Sequence, residues 1–304
     1  MQYSTFAAID IGSYDVILEI FEISKKQGIR SVDKICHRME LGKDTYTLGK
    51  IRPEMEEELC RVLADFVRIM EGYRVDDYRA TASSAISEAS NSLYVLGKIH
   101  QLTGLSVTVL SNSEQRFLSY KALAAMEDNF NKIIEKGTAI LDLDGGSFQI
   151  SLFDKDALVT TQNIRMGSLR IRERLAGIQS ETEHYEEMVE ELIWNEVSSF
   201  KKMYLKDRKI ENIMLIGDVF TDSVYQNIEE KTTKIISCEN FNTWYEKIIR
   251  QSPMELAVKL GIPLENASLM YPSAVIYKCL IDMMGAEHIW IPGVHMTRGI
   301  AYEY

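Results

Sequence analysis

Thr138-Ala-Ile-Leu-Asp-Leu-Asp-Gly-Gly-Ser-Phe-Gln-Ile150 is the stretch that decides the fold. An apolar run climbs to an acidic, glycine-bearing turn, and Gln149-Ile-Ser-Leu-Phe153 leaves it in alternation. The pattern predicts a β-hairpin over 138–153 with Asp144-Gly145-Gly146-Ser147 at its tip. Adjacent glycines let backbone N–H groups converge on one point, which is how a turn holds a phosphate without a basic side chain. An ordinary Gly-Gly hairpin turn accounts for the same residues.

Phe6-Ala-Ala-Ile-Asp-Ile-Gly-Ser13, followed by Val16-Ile-Leu-Glu-Ile20, repeats the order apolar strand, Asp, Gly-Ser turn, apolar strand. A repeat at this separation predicts two similar half-molecules, with Asp10 and Asp142 at the ends of corresponding strands and facing one cleft. Paired hairpins of this kind resemble the α/β, two-domain actin-like (ribonuclease H-like, sugar-kinase and actin type) fold. That fold implies halves at 1–124 and 125–304, with a ligand's phosphates lying between them.

Composition agrees with two domains. The chain has 304 residues, 46% of them hydrophobic, enough for two cores of ordinary size. No run is long enough for a transmembrane span, and Met1 leads directly into a strand with no basic leader, so the expected location is the cytoplasm. Cys36, Cys60, Cys238 and Cys279 lack metal or redox spacing and read as free thiols. The five histidines show no ligand spacing either. A formal charge of -11 repels polyanions at long range, which argues against nucleic-acid and anionic-membrane partners and leaves any phosphate to local groups.

Along the chain, Ile29–Met39 reads as a third strand, and Pro53–Glu71 as a core helix with proline in its first turn. Asp77 to Asn91 reads as a short strand running into a serine-rich helix start. Ser83, Ser84 and Ser87 there suit either an anion or plain N-capping. Arg165, Arg170, Arg172 and Arg174 form the densest basic cluster, with Arg170 and Arg174 on one helix face. They suit either a phosphate contact or surface pairing with Glu173. Ser180–Met203 reads as a Glu-rich amphipathic helix on a domain surface, and Ile213–Asp218 as a buried strand ending in one glycine.

The ordered set of segments resembles the exopolyphosphatase and guanosine pentaphosphate phosphatase (Ppx/GppA) family: Asp10-Ile-Gly-Ser13, Ala80-Thr-Ala-Ser-Ser-Ala-Ile-Ser-Glu-Ala-Ser-Asn91, Thr103-Gly-Leu-Ser-Val-Thr-Val-Leu-Ser-Asn-Ser-Glu-Gln115, Asp142-Leu-Asp-Gly-Gly-Ser147 and Arg165-Met-Gly-Ser-Leu-Arg170. Weaker echoes follow at Ile213–Asp218, Tyr271-Pro-Ser-Ala274 and Thr297-Arg-Gly-Ile300. The resemblance implies hydrolysis of terminal phosphoanhydride bonds, usually with Mg²⁺ (or Mn²⁺), in polyphosphate or guanosine pentaphosphate. It leaves a homodimer open. Gly12, Ser13, Gly145, Gly146 and Ser147 match phosphate-binding positions, and Asp10 and Asp142 match acidic ones. An Arg170 facing the cleft would supply a further phosphate contact.

The resemblance fails where the chemistry is concentrated. Gln115 stands where the family has the Glu proposed to activate water, Gln149 at a second acidic position, and Ser87 at a phosphate-binding Arg. Tyr14-Asp15 replaces Asn-Ser, and Asp144 replaces a loop glycine. A Gln cannot accept a proton at neutral pH, and losing a general base costs ~10²–10⁴-fold in rate. Asp10, Asp142 and Asp144, with Asp15, suit a carboxylate cluster for a divalent cation, with Glu114 as the base from a shifted register. The same acids are equally readable as solvated turn residues. Two outcomes are therefore expected: a weak or altered hydrolase, or a catalytically silent relative that binds a phosphate ligand or a partner protein.

Overall fold

The structure, a computed structural model, describes residues 3–26, 28–126, 130–176, 185–217, 219–227 and 235–304. The chain divides into two compact units, Met1–Ala125 with His295–Tyr304, and Met126–Val294.

The first unit is built on a sheet of β1 (Ser4–Ile11), β2 (Asp15–Ser24), β3 (Gly28–Arg38), β4 (Asp77–Ala82) and β5 (Val107–Val109), in the order β3-β2-β1-β4-β5. β1, β2 and β3 pair antiparallel, and β4 and β5 continue parallel to β1. The two-residue period of β1 covers both faces. Ala7, Ile9 and Ile11 join a core with Leu59, Leu63 and Phe66 of the helix Pro53–Tyr73, while Phe6 and Ala8 meet Leu118, Ile300 and Ala301 on the other side. Pro53 sits at the start of its helix as expected, because its missing N–H is one that the first turn leaves unbonded anyway.

The expected division at 124/125 assigns everything that follows to the second half, whereas the helix Met296–Glu303 belongs to the first unit. The physical reason lies in Gly299. A Cβ there would stand 2.2 Å from the Leu118 carbonyl oxygen, so glycine is what lets the last helix close on Asn112–Met126. Tyr304 then stacks on Phe6 with ring centroids 4.3 Å apart.

The second unit repeats the plan. β6 (Thr138–Leu143), β7 (Phe148–Asp154), β8 (Ala157–Ile164), β9 (Asn212–Ile216), β10 (Ile235–Ser237) and β11 (His288–Trp290) form a sheet in the order β10-β11-β9-β6-β7-β8. Setting β10 aside, β8-β7-β6-β9-β11 has the same order and directions as β3-β2-β1-β4-β5. This duplicated α/β arrangement is the two-domain actin-like fold. The helix Leu264–Met284 is apolar nearly all round and runs through this unit's core, where Tyr277 donates to the Ile216 carbonyl oxygen at 3.1 Å.

The amphipathic helix expected over Ser180–Met203 is described from Tyr185 to Phe200 and buries Tyr185, Val189, Ile193, Val197 and Phe200. Its expected beginning, and Asp218, lie outside the described residues. Among the described residues no helix is long and apolar enough to cross a membrane.

Candidate functional site

The hairpin tip of the second unit is held from outside. Asp144 N–H donates to the Ser147 carbonyl oxygen at 2.9 Å, closing a four-residue turn between β6 and β7. The helix Ser168–Leu175 then takes the turn's outward carbonyls. Ser168 N–H donates to Asp144 O at 3.2 Å, Arg170 N–H to Gly145 O at 2.9 Å, and Arg170 Nε to Gly146 O at 2.8 Å. Gly167 permits that approach, since a Cβ there would lie 2.2 Å from Asp144 O. Among the described residues the N–H groups of Gly146 and Ser147 have no protein acceptor. The turn therefore offers donors, the polarity an anion requires.

Two substitutions alter that turn. Asp144 Oδ1 accepts the Gly145 N–H at 2.6 Å, so the turn's own carboxylate holds one of its donors. Gln149 pairs across the sheet with Asp142 on one side and Asn163 on the other. It is only 5% exposed, and its Oε1 has no hydrogen-bond partner among the described residues, an orphaned acceptor at the foot of the turn. Asn163 Nδ2 donates to Ser147 Oγ at 3.1 Å. Gly217, with φ at 109°, closes the row: a Cβ there would stand 2.5 Å from Leu143 O and 2.7 Å from Asp142 Oδ1.

In the first unit Gly12 N–H donates to Asp15 O at 2.9 Å, which turns β1 into β2. Half-buried Asp10 receives a long hydrogen bond from Thr81 Oγ1 at 3.4 Å. Ser13 is fully buried, and its hydroxyl shares a chain with Tyr46 and Ser84, 2.8 Å at each link. Asp15 forms an ion pair with Arg38 at 2.7 Å, and Arg38 lies over the Tyr14 ring. The Tyr-Asp pair that departs from the family pattern thus serves the hairpin.

The remaining candidates are separate from the turns. Gln115 lies in the first turn of the helix Asn112–Met126, half-buried, with Nε2 donating to Leu110 O at 3.4 Å. Glu114 accepts from both the N–H and the hydroxyl of Ser111 at 2.7 Å each, while its own N–H donates to Ser111 Oγ at 3.3 Å. This is a capping box, and the Ser111 hydrogen bonds hold the Glu114 carboxyl below its ordinary pKa. The geometry gives Glu114 a structural task, and the lowered pKa moves its carboxyl further from neutral pH. Ser87 is exposed at the end of the single-turn helix Ser84–Ser87, too short to carry an anion site at its start. Arg172 forms an ion pair with Glu173 at 2.6 Å and donates to Ser268, the pairing alternative for the basic cluster, whereas Arg165 and Arg174 are exposed.

Among the described residues no three His, Cys, Asp or Glu side chains come together as a metal-holding group. Asp15 is held by Arg38 and Asp144 by Gly145, and among the described residues of each unit no donor set fits a resident cation. Tyr46 and Asn163 belong to the two turns although no local pattern marks them, whereas Gly167 and Gly217 stand in segments that the sequence does mark without assigning them this task. Only the Gly-Ser pair at 167–168, just before the arginine-rich helix, carries a cue of helix entry.

A model of the Ppx/GppA phosphatase family matches residues 19–304. The chain belongs to that family. In this Ppx/GppA protein the match starts beyond the first turn, so Asp10, Gly12 and Ser13 lie outside it.

Among curated relatives, the bifunctional 3-dehydroquinate synthase/phosphatase of Fusobacterium nucleatum is 21% identical over 93% of this chain and 44% of its own length. Exopolyphosphatase 1 of Mycobacterium leprae is 25% identical over 47% of this chain and 41% of its own. The chain thus spans less than half the length of the curated relatives it matches. Two solved structures share its fold over nearly their whole length. An exopolyphosphatase from Cytophaga hutchinsonii has a TM-score of 0.87 at 16% identity, covering 98% of this chain and 97% of that one. The Aquifex aeolicus Ppx/GppA family member has a TM-score of 0.78 at 19% identity, covering 99% and 97%.

Proposed function

We propose that this Ppx/GppA protein hydrolyses terminal phosphoanhydride bonds, releasing phosphate from polyphosphate or guanosine pentaphosphate, at a rate well below that of a relative with the full set of charges. The observation that carries this is the turn Asp144–Ser147. Its carbonyls at 144, 145 and 146 are occupied by Ser168 and Arg170, so its donors are what a phosphate meets. Such transfer needs little covalent help from the protein, which positions water and neutralises charge on the transferring group.

In this reading Gly145, Gly146 and Ser147 bind phosphate oxygens, whereas Gly12 and Ser13, with the Gly12 N–H on Asp15 O and the Ser13 hydroxyl buried against Tyr46, shape the turn of the first unit. Arg170 acts by fastening the turn. Gln115 orients the attacking water through its amide oxygen without taking the proton, and Gln149, with its orphaned acceptor, holds a second water. Ser87 brings no positive charge to the phosphoryl group, a loss comparable to that of an arginine finger worth ~10³–10⁵-fold.

Mg²⁺ or Mn²⁺, where bound, supplies charge neutralisation. Asp142, at the end of β6 beside the phosphate turn, is the carboxylate that would hold it, since Mg²⁺ ordinarily takes only one or two carboxylates from protein when phosphates complete its shell. Four free thiols support action in the reducing cytoplasm, and the charge of -11 supports neither nucleic acid nor membrane as partner.

A second reading, a catalytically silent member that binds a phosphate ligand or a partner protein as a regulator, is favoured by Glu114. Fastened to Ser111, that acid does not replace the base missing at Gln115. Measuring phosphate release from polyphosphate and from guanosine pentaphosphate, with Mg²⁺ and with Mn²⁺, separates the two. Slow turnover supports the hydrolase, binding without turnover supports a silent phosphate-binding member, and neither binding nor turnover removes both of these and leaves a partner protein as the ligand.

A further inference from the structure

Ser147 is the only side chain of the second turn that can donate to a ligand, since Asp144 is a carboxylate and the other two residues are glycines. A hydroxyl has one proton and two lone pairs, so the partner that occupies the oxygen decides where the proton goes. Asn163 lies on β8, paired across the sheet with Gln149, and reaches Ser147 Oγ with its amide nitrogen at 3.1 Å. An amide N–H₂ only donates. Ser147 Oγ is thereby the acceptor in this contact, and its proton is directed elsewhere.

Among the described residues Asn163 is the hydrogen-bond partner of the Ser147 hydroxyl, and the loop's carbonyls accept from Asp144, Ser168 and Arg170, so the Ser147 proton is not spent within the turn.

We propose that Asn163 is a positioning residue: by donating to Ser147 Oγ it orients the hydroxyl so that its proton is delivered to a phosphate oxygen seated on the N–H groups of Gly146 and Ser147. This rests on the turn being a phosphate site. Asn163 does not touch the ligand. It converts a freely rotating hydroxyl into a preset donor, and a preset donor loses less on binding.

The test is the binding of inorganic tripolyphosphate to the full chain, measured by calorimetry. The proteins compared are the wild type, Ser147→Ala, Asn163→Ala, Asn163→Ser, Asn163→Asp and the double variant Ser147→Ala/Asn163→Ala. Hydrogen bonds to charged groups set an expected loss of about tenfold for Ser147→Ala, and about threefold or more for Asn163→Ala. Asn163→Ser keeps a polar side chain at the strand position but is too short to reach Ser147, so it should match alanine even if alanine proves unstable. Asn163→Asp accepts the Ser147 proton and adds a negative charge, and it should bind most weakly of the single variants.

In the Ser147→Ala background, Asn163→Ala should have no further effect, a coupling that a merely structural role does not produce. Additive losses, or an Asn163→Asp that binds like the wild type, overturn this inference alone. A wild type that binds no tripolyphosphate overturns both it and the phosphate reading of the turn.

Discussion

Asp144 Oδ1 accepts the N–H of Gly145, its own neighbour, at 2.6 Å. A glycine-bearing turn that should present N–H groups to an anion has been supplied with an anion of its own. Two unit charges ~4 Å apart repel by about 4 kcal/mol at an effective dielectric of 20, before salt screening reduces it. Asp144→Gly is therefore expected to tighten tripolyphosphate binding by about tenfold or more, and Asp144→Asn by less. Calorimetry at low and at moderate salt checks this, and the gain should shrink as salt rises. Unchanged affinity would mean that the carboxylate does not compete with the ligand.

Glu114 provides a pH test. Its carboxyl is held below the ordinary value by the Ser111 hydrogen bonds, so its folded pKa is depressed. The stabilisation it brings is fully present above the unfolded carboxylate pKa, about 4.3, and is lost as pH falls through the lower folded value. Glu114→Gln should reduce the melting temperature at pH 7, and the difference from the wild type should shrink as the pH falls below the unfolded value and vanish once it has passed the lower folded one. Phosphate release should be unaffected. A drop of ~10²-fold or more would instead make Glu114 the general base.

Gly217 holds a φ of 109° against Leu143 O and Asp142 Oδ1. Gly217→Ala brings both backbone strain and a collision with β6, and it should destabilise the protein by about 2 kcal/mol or more. Tripolyphosphate binding should weaken with it, because the displaced strand end leads into the phosphate turn. Denaturant unfolding and calorimetry on the same variant measure both effects.

Gln115, Gln149 and Ser87 each remove a charge, and groups that act as a unit are strongly non-additive. The wild type is expected to release phosphate at least ~10³-fold more slowly than an active relative, with single restorations doing little. Gln115→Glu, Gln149→Glu and Ser87→Arg together, with Asp144→Gly, should restore measurable release. Gln149→Glu places a carboxylate at a 5% exposed position, so the melting temperature of the combined variant should fall. Robust turnover by the unmodified chain, undiminished by Asp142→Asn, places the chemistry on other residues.

The hairpins were legible because their evidence is local. Thr138–Leu143 and Phe148–Asp154 follow the apolar and alternating runs directly, and the Gly-Gly pair marks the turn between them. Glu114 was legible in principle. Ser111-Asn-Ser-Glu114 is the capping-box signature, and a carboxylate in that signature beside Gln115 suits capping and catalysis alike until its hydrogen bonds to Ser111 are seen. Arg170 shows the limit of residue type as a guide, since a guanidinium beside a phosphate turn suits the ligand and the turn's carbonyls equally. Asn163 and Gly217 act through partners many residues away, across strands whose register no local pattern specifies. Gly299 meets Leu118 across the whole of Met126–Val294 in sequence, so neither that contact nor the place of the last helix is marked locally.

That last helix has a consequence for biosynthesis. Met296–Glu303 supplies Ile300 and Ala301 to the cluster that covers Phe6, Ala8 and Phe21, yet it follows all of Met126–Val294 in the chain. The second unit is synthesised in full before this face of β1 and β2, already met by Leu110 and Leu118, receives the rest of its cover. Until Ile300 and Ala301 arrive, the first unit lacks part of the apolar packing on Phe6, Ala8 and Phe21, and incomplete packing of that kind is the surface that chaperones capture.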